Sequence, residues 1–199
     1  MTSQEVAKWE VHLVEVMKST RFRNMEGLGG ELPSFIYPYD PTDGLEVAAS
    51  KKRIKNRLAQ EGIEVLEVNL YELVIELLQV RGVLDDLIEL EPTIGKDDFL
   101  SGLACMLNPT EDIAPAIKDR LSEQSHDISF LTGIGEVFPY IRAHNVLNNL
   151  QAITLDRPMV TFFPGRYEHS ANLGKSLVLF GMLKSDNYYR AKDIREQNA

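Results

Sequence analysis

The residues of this 199-residue chain best suited to chemistry lie between Asp127 and Leu150, in the stretch DISFLTGIGEVFPYIRAHNVLNNL. A short apolar run, Ile128 to Leu131, leads into Thr132-Gly133-Ile134-Gly135. Two glycines one residue apart allow a tight turn and close backbone approach to a ligand. If a helix opens at that turn, its free N–H groups favour an anion such as a phosphate. The helix would carry Arg142, His144, Asn145, Asn148 and Asn149 on a polar face. Thr132, Gly133, Gly135, Arg142, His144, Asn145, Asn148 and Asn149 therefore form a candidate ligand or docking surface. It has the position that open α/β sheets give their sites, outside the carboxyl end of a strand.

The block stops short of a complete catalytic motif. Phe138 stands where a dinucleotide fingerprint has its third glycine, Pro139 follows it, and Glu136 adds negative charge where an anion would sit. Asp156 lies about 20 residues on, at the spacing of a ribose-binding acid, but it precedes a strand rather than ending one. A phosphate loop needs Gly-x-x-x-x-Gly-Lys-Ser/Thr directly after a strand. After the apolar strand at Phe35 to Tyr39 the chain reads DPTDGLEVAAS, with one glycine and no lysine in register. The histidines show no zinc-ligand spacing, and no Gly-x-Ser-x-Gly elbow occurs. His144 reads as a hydrogen-bonded structural residue. No catalytic residue, metal or cofactor is assigned, and the expectation is a protein that is not an enzyme.

Composition narrows the partners. A formal net charge of −9 argues against a broad nucleic-acid or anionic-membrane surface. The basic run Lys51, Lys52, Arg53, Lys55 and Arg57 reads as a solvated helix face, with DNA binding as its weak alternative. The single cysteine, Cys105, reads as a buried thiol in a reducing cytoplasm. The N-terminus lacks the features of a signal peptide. No stretch approaches the roughly 20 apolar residues of a membrane span.

The elements that must position these residues alternate. Val6, Trp9, Leu13 and Met17 recur at helical spacing, and a loop at Met25 to Pro33 follows. This divides the chain into an N-terminal helical extension, 1–24, and a single α/β domain, 25–199. Strands are expected at Phe35–Tyr39, Ile63–Leu70, Ile128–Leu131 and Pro158–Phe163, the last stopped by Pro164-Gly165. Leu177 to Leu183 is the final apolar run. Helices are expected over Leu45–Gln60, ended by Gly62, and after Leu70, divided or kinked at Gly82. Others fall near Asp97–Leu107 and Thr110–Ser122 and directly after Gly135. The polar tail from Lys192 should fray. The result is an α/β fold with a mostly parallel sheet flanked by helices on both faces. Tyr39, Arg166, Tyr167, Tyr188 and Tyr189 fall near strand ends or in the closing segment. They form a candidate interface, since tyrosine and arginine combine apolar area with a polar end.

Five blocks in fixed order, YPYDP, IEVLEVNLYELVIELL, FLTGIGEVFPYIRAHNVLNNLQ, PMVTFFPGRY and LFGMLKSDNYYRA, resemble the BrxB (DUF1788) family of bacteriophage-exclusion (BREX) defence systems. The resemblance spans roughly Phe35 to Arg190. It implies a small cytoplasmic component without a catalytic motif of its own, and a three-layer, P-loop-like or AAA-like body lacking nucleotide motifs. The implied role is an accessory or adaptor in contact with other BREX proteins, above all a PglZ-type phosphatase-superfamily protein. Self-association stays open. The competing expectation is a nucleotide- or phosphate-binding protein using the Gly-x-Gly turn, with Arg142 and Arg166 as further donors.

Overall fold

The computed structural model describes residues 3–26, 33–151, 156–170, 174–188 and 191–198. The glycines expected in a loop at 27–30, and Tyr189, lie outside them. Helices α1 (Ser3–Lys18) and α2 (Thr20–Arg23) precede β1 (Ser34–Tyr39), α3 (Gly44–Gln60), β2 (Val65–Asn69), α4 (Leu70–Val80) and α5 (Leu84–Leu90). Then come α6 (Lys96–Met106), α7 (Ala114–Glu123), β3 (Ile128–Thr132), α8 (Ala143–Gln151) and β4 (Met159–Ser170). The chain closes with β5 (Gly174–Leu179), β6 (Leu183–Tyr188) and β7 (Lys192–Asp193).

Two helix ends follow from glycine. At α3, Gly62 takes φ +73°, its N–H reaches the Ala59 carbonyl, and the Ile63 N–H reaches that of Leu58. The same pair of bonds forms around Gly82, at φ +70°, and divides α4 from α5. Both are left-handed caps that satisfy the last carbonyls of a helix.

Five strands run parallel in the order β2-β3-β4-β1-β7. Alternate residues of the strands feed two cores. Phe35, Tyr37, Phe130, Val160 and Phe162 pack under α1 and α3. Ile36, Val68, Leu131, Met159 and Phe163 pack under α4 to α8. The sheet is thus covered on both faces, as expected of a parallel sheet. Pro38 does not break β1, because β7 pairs only Phe35 and Ile36 and leaves that edge open at Pro38.

Several expectations are corrected. Gly133 and Gly135 do not open a helix. Residues 133–142 form turns whose Ile134, Val137 and Ile141 plug the core, and α8 begins only at Ala143. Pro139 has no N–H to offer a helix and restricts Phe138 before it. Pro164-Gly165 does not stop β4. There the strand changes partner, pairing in parallel with β1 up to Pro164 and antiparallel with β5 from Gly165. The apolar run 177–183 spans a hairpin corner, with Phe180 and Gly181 at positive φ between β5 and β6. The tail does not fray at its start: β7 pairs with β1, and Ile194 is fully buried. Cys105 also differs from expectation. It is exposed, because α6 turns Leu103 inward and leaves Cys105 on its outer side.

Candidate docking crevice at the strand ends

The glycines of the Gly-x-Gly block face neighbouring chain segments. A Cβ on Gly133 would lie 2.2 Å from Asn69 Oδ1, the oxygen that caps α4 by accepting from the Tyr71 and Glu72 N–H groups. A Cβ on Gly135 would lie 2.9 Å from both Pro164 and Phe180. These glycines let α4 and the β4–β5 junction approach the end of β3 closely.

The other members of the expected surface separate. Thr132 is buried and donates to Glu67 Oε1 at 3.1 Å on the α3 side of the sheet. On α8, Asn149 donates to the Asn145 carbonyl at 2.8 Å and accepts from the Thr110 hydroxyl at 3.1 Å. Asn145 is exposed and Asn148 half-buried. Arg142 and His144 line a cavity of about 60 Å³ with Phe138, Phe163, Leu183 and Lys184. The eight residues therefore form a packing turn, a capping network and a small cavity wall, not one pocket.

The basic run on α3 is largely occupied from within. Glu67 on β2 takes Lys51 and, at 2.9 Å, Lys55. Glu10 on α1, only 4% exposed, accepts from Ser50 Oγ at 3.1 Å and Arg53 Nε at 2.8 Å, with Arg57 at 3.3 Å. This face clamps α1 and β2 to α3: four of the five cations pair with these two carboxylates, while Lys52, Arg53 and Arg57 stay exposed to solvent. A buried carboxylate removed from its donors costs about 1–3 kcal/mol. Glu10→Ala is therefore expected to lower the unfolding free energy by that amount, read as a lower urea midpoint with the m-value unchanged.

Burial pushes the Glu67 carboxyl up, but hydrogen bonds and charge from Lys51 and Lys55 outweigh it and hold it below the ordinary 4.5. A depressed carboxylate stabilises the fold at neutral pH, and the effect is lost as pH falls below about 4.5 and through the folded value. Wild type should exceed Glu67→Gln in urea midpoint at neutral pH, and the gap should close on acidification through that window.

Three of the expected interface residues do meet. Tyr39, Arg166 and Tyr167 line a crevice of about 530 Å³ together with Pro38, Asp40, Thr42, Phe180 and Arg195. It opens where β1 ends and β4 runs on. The connection leaving β1 enters the α3 layer, whereas that leaving β3 enters the α8 layer, so the crevice lies at the sheet's topological switch point. Asp40 is committed locally, accepting from the Thr42 N–H at 2.9 Å and its hydroxyl at 2.6 Å; the hydroxyl bond is the main cause of its lowered pKa.

The remaining walls are held from further along the chain. Arg166 is braced by Glu168 at 2.8 Å and the Gly181 carbonyl at 2.9 Å. The Tyr167 hydroxyl donates to the Ala191 carbonyl at 2.9 Å and holds the chain entering β7. Burial, reinforced by Glu136, pushes the Tyr39 hydroxyl up to about 12, so it stays a proton donor at any physiological pH. Arg195 is clamped by Asp193 at 2.6 Å and lies 5.9 Å from the Trp9 ring. Tyr188 is the last residue of β6.

Sequence reasoning missed Arg195, because it stood in the tail expected to fray; the apolar Ile194 beside it was the available signal. Among the described residues no cluster of three His, Cys, Asp or Glu could hold a metal ion, and no helix is long and apolar enough to cross a membrane.

Fold and crevice define an open parallel-sheet α/β protein whose switch point is walled by tyrosine, arginine and proline, with Asp-Pro-Thr-Asp in the loop after its first strand. More particularly, the chain belongs to the BrxB family of BREX proteins, whose model, described as "BREX protein BrxB", matches residues 66–194. A BREX protein BrxB from Bacillus cereus (strain H3081.97) is 40% identical over 174 residues, covering 85% of this chain and 87% of the relative. Another from Escherichia coli O9:H4 (strain HS) is 28% identical over 171 residues, covering 86% and 82%. No solved structure gives a significant match.

Proposed function

We propose that this protein is a non-enzymatic adaptor of a BREX antiphage defence system, and that it holds a partner, a PglZ-type phosphatase-superfamily protein, at the switch-point crevice. The observation that carries the reading is the convergence of Tyr39, Arg166 and Tyr167 on one cavity from separate parts of the chain. Tyrosine and arginine of this kind, framed by apolar walls, are the residues that dominate protein interfaces. Family membership supports the system; the residues support contact rather than turnover. Co-purification of the tagged full chain with the other BREX proteins, at micromolar concentration and low salt, tests the role. Recovery of none of them would overturn it.

The volume of the crevice also lies within the range of small-molecule sites, which favours a nucleotide or phosphate ligand as a second reading. Its proposed donors, Arg142 and Arg166, line different cavities, so such a ligand would use Arg166 without Arg142. Calorimetry with ATP, GTP and NAD that gives no heat removes this reading.

A further inference from the structure

We propose that the corner formed by α5, the turn after it and the start of α6 is a second docking face, and that its occupant is a basic amphipathic segment of a partner protein. The inference rests on the adaptor reading above. Residues 84–98, LDDLIELEPTIGKDD, hold six carboxylates against the single cation Lys96. Among the described residues none of the six has an ion-pair partner. Elsewhere the chain neutralises its half-buried and buried acids: Glu10, Glu67, Asp112 and Asp193 each face Lys or Arg. The corner concentrates exposed negative charge that has no paired cation among the described residues.

Charge alone would describe an ordinary solvated surface. The second observation is apolar area in the same place. Leu87 turns into the core and Leu84 packs against it. Their neighbours do not: Ile88 is 59% exposed, Leu90 43% and Ile94 37%. The apolar arc of α5 is wider than the domain covers, and residues 91–98 are exposed throughout. Apolar side chains set among unpaired carboxylates select a segment that alternates Lys or Arg with apolar residues. The apolar contacts give such a complex its lifetime, while the charge supplies steering and discrimination.

The same charge argues against other occupants. Nucleic acid and anionic membrane are repelled. Among the described residues of a second copy, the one basic run, on α3, is already paired with Glu67 and Glu10 at four of its five cations.

The test uses the full chain co-expressed with the other proteins of its BREX system, in wild type and in Asp85→Lys/Asp86→Lys/Glu89→Lys. The three sites are exposed, and an unchanged thermal transition confirms that the variant folds. The expected result is at least about a tenfold loss of affinity for one partner. Wild-type binding should weaken with added salt and that of the variant should not. Ile88→Ser/Leu90→Ser should weaken the same partner while leaving the salt slope intact. Equal affinity and equal salt slope for wild type and the charge-reversed variant overturn the inference and leave the adaptor reading standing. Failure of the wild type to bind any BREX protein overturns both.

Discussion

Replacing Gly165 with alanine destabilises the protein by about 3 kcal/mol or more, the largest effect expected of any single methyl group here. A Cβ at that position would sit 2.1 Å from the Val178 carbonyl oxygen and 3.1 Å from the Phe180 nitrogen, both backbone atoms. No side chain can swing aside to make room. Gly165 is also the first residue of β4 to pair with β5, so relief requires the hairpin to leave the sheet. Urea denaturation should show a large fall in midpoint. Gly44→Ala is the control: nothing lies within 4 Å of its Cβ, and its backbone is helical at the start of α3. That variant should be about 0.5 kcal/mol more stable.

The second large effect is on binding. Tyr39→Ala combined with Arg166→Ala should weaken capture of the BREX partner by about 2–4 kcal/mol, a loss of roughly 30-fold or more. Tyr39 also stacks on Tyr37, with ring centroids 6.4 Å apart, so the double variant loses some stability as well. Arg166→Ala alone removes an exposed side chain held, among the described residues, by Glu168 and the Gly181 carbonyl, and should leave the thermal transition in place. A partner retained at full affinity by both variants would exclude the crevice as its site.

The helices and parallel strands were legible because their signals are local. Gly62 and Gly82 mark their helix ends through bonds that span a few residues, and the buried strands are short apolar runs. The misread elements take partners that lie outside their own local run. Pro164-Gly165 is a stop signal locally, but β5 supplies a new edge just where β1 ends. The tail looked polar because its anchor is one residue, Ile194, and its pairing strand lies some 150 positions earlier, at Phe35 and Ile36. The basic run on α3 carries no sign that Glu10 and Glu67 neutralise it from α1 and β2. The crevice was half legible. Tyr39, Arg166 and Tyr167 stood out as strand-end residues, while their convergence depended on the strand order. The Gly-x-Gly block resembled a ligand turn because glycine that admits a phosphate and glycine that admits a neighbouring strand leave the same mark.

The change of partner along β4 bears on how the crevice would meet the proposed partner. Tyr39 pairs with Pro164, and Arg166 stands two residues further along the same strand. Both walls are therefore fixed to one continuous strand, and the crevice cannot gape unless β4 itself bends. A partner meets a preorganised surface, which keeps the entropic cost of ordering small. Association should follow a single kinetic phase whose rate scales linearly with partner concentration, set by diffusional encounter rather than by reshaping of this protein.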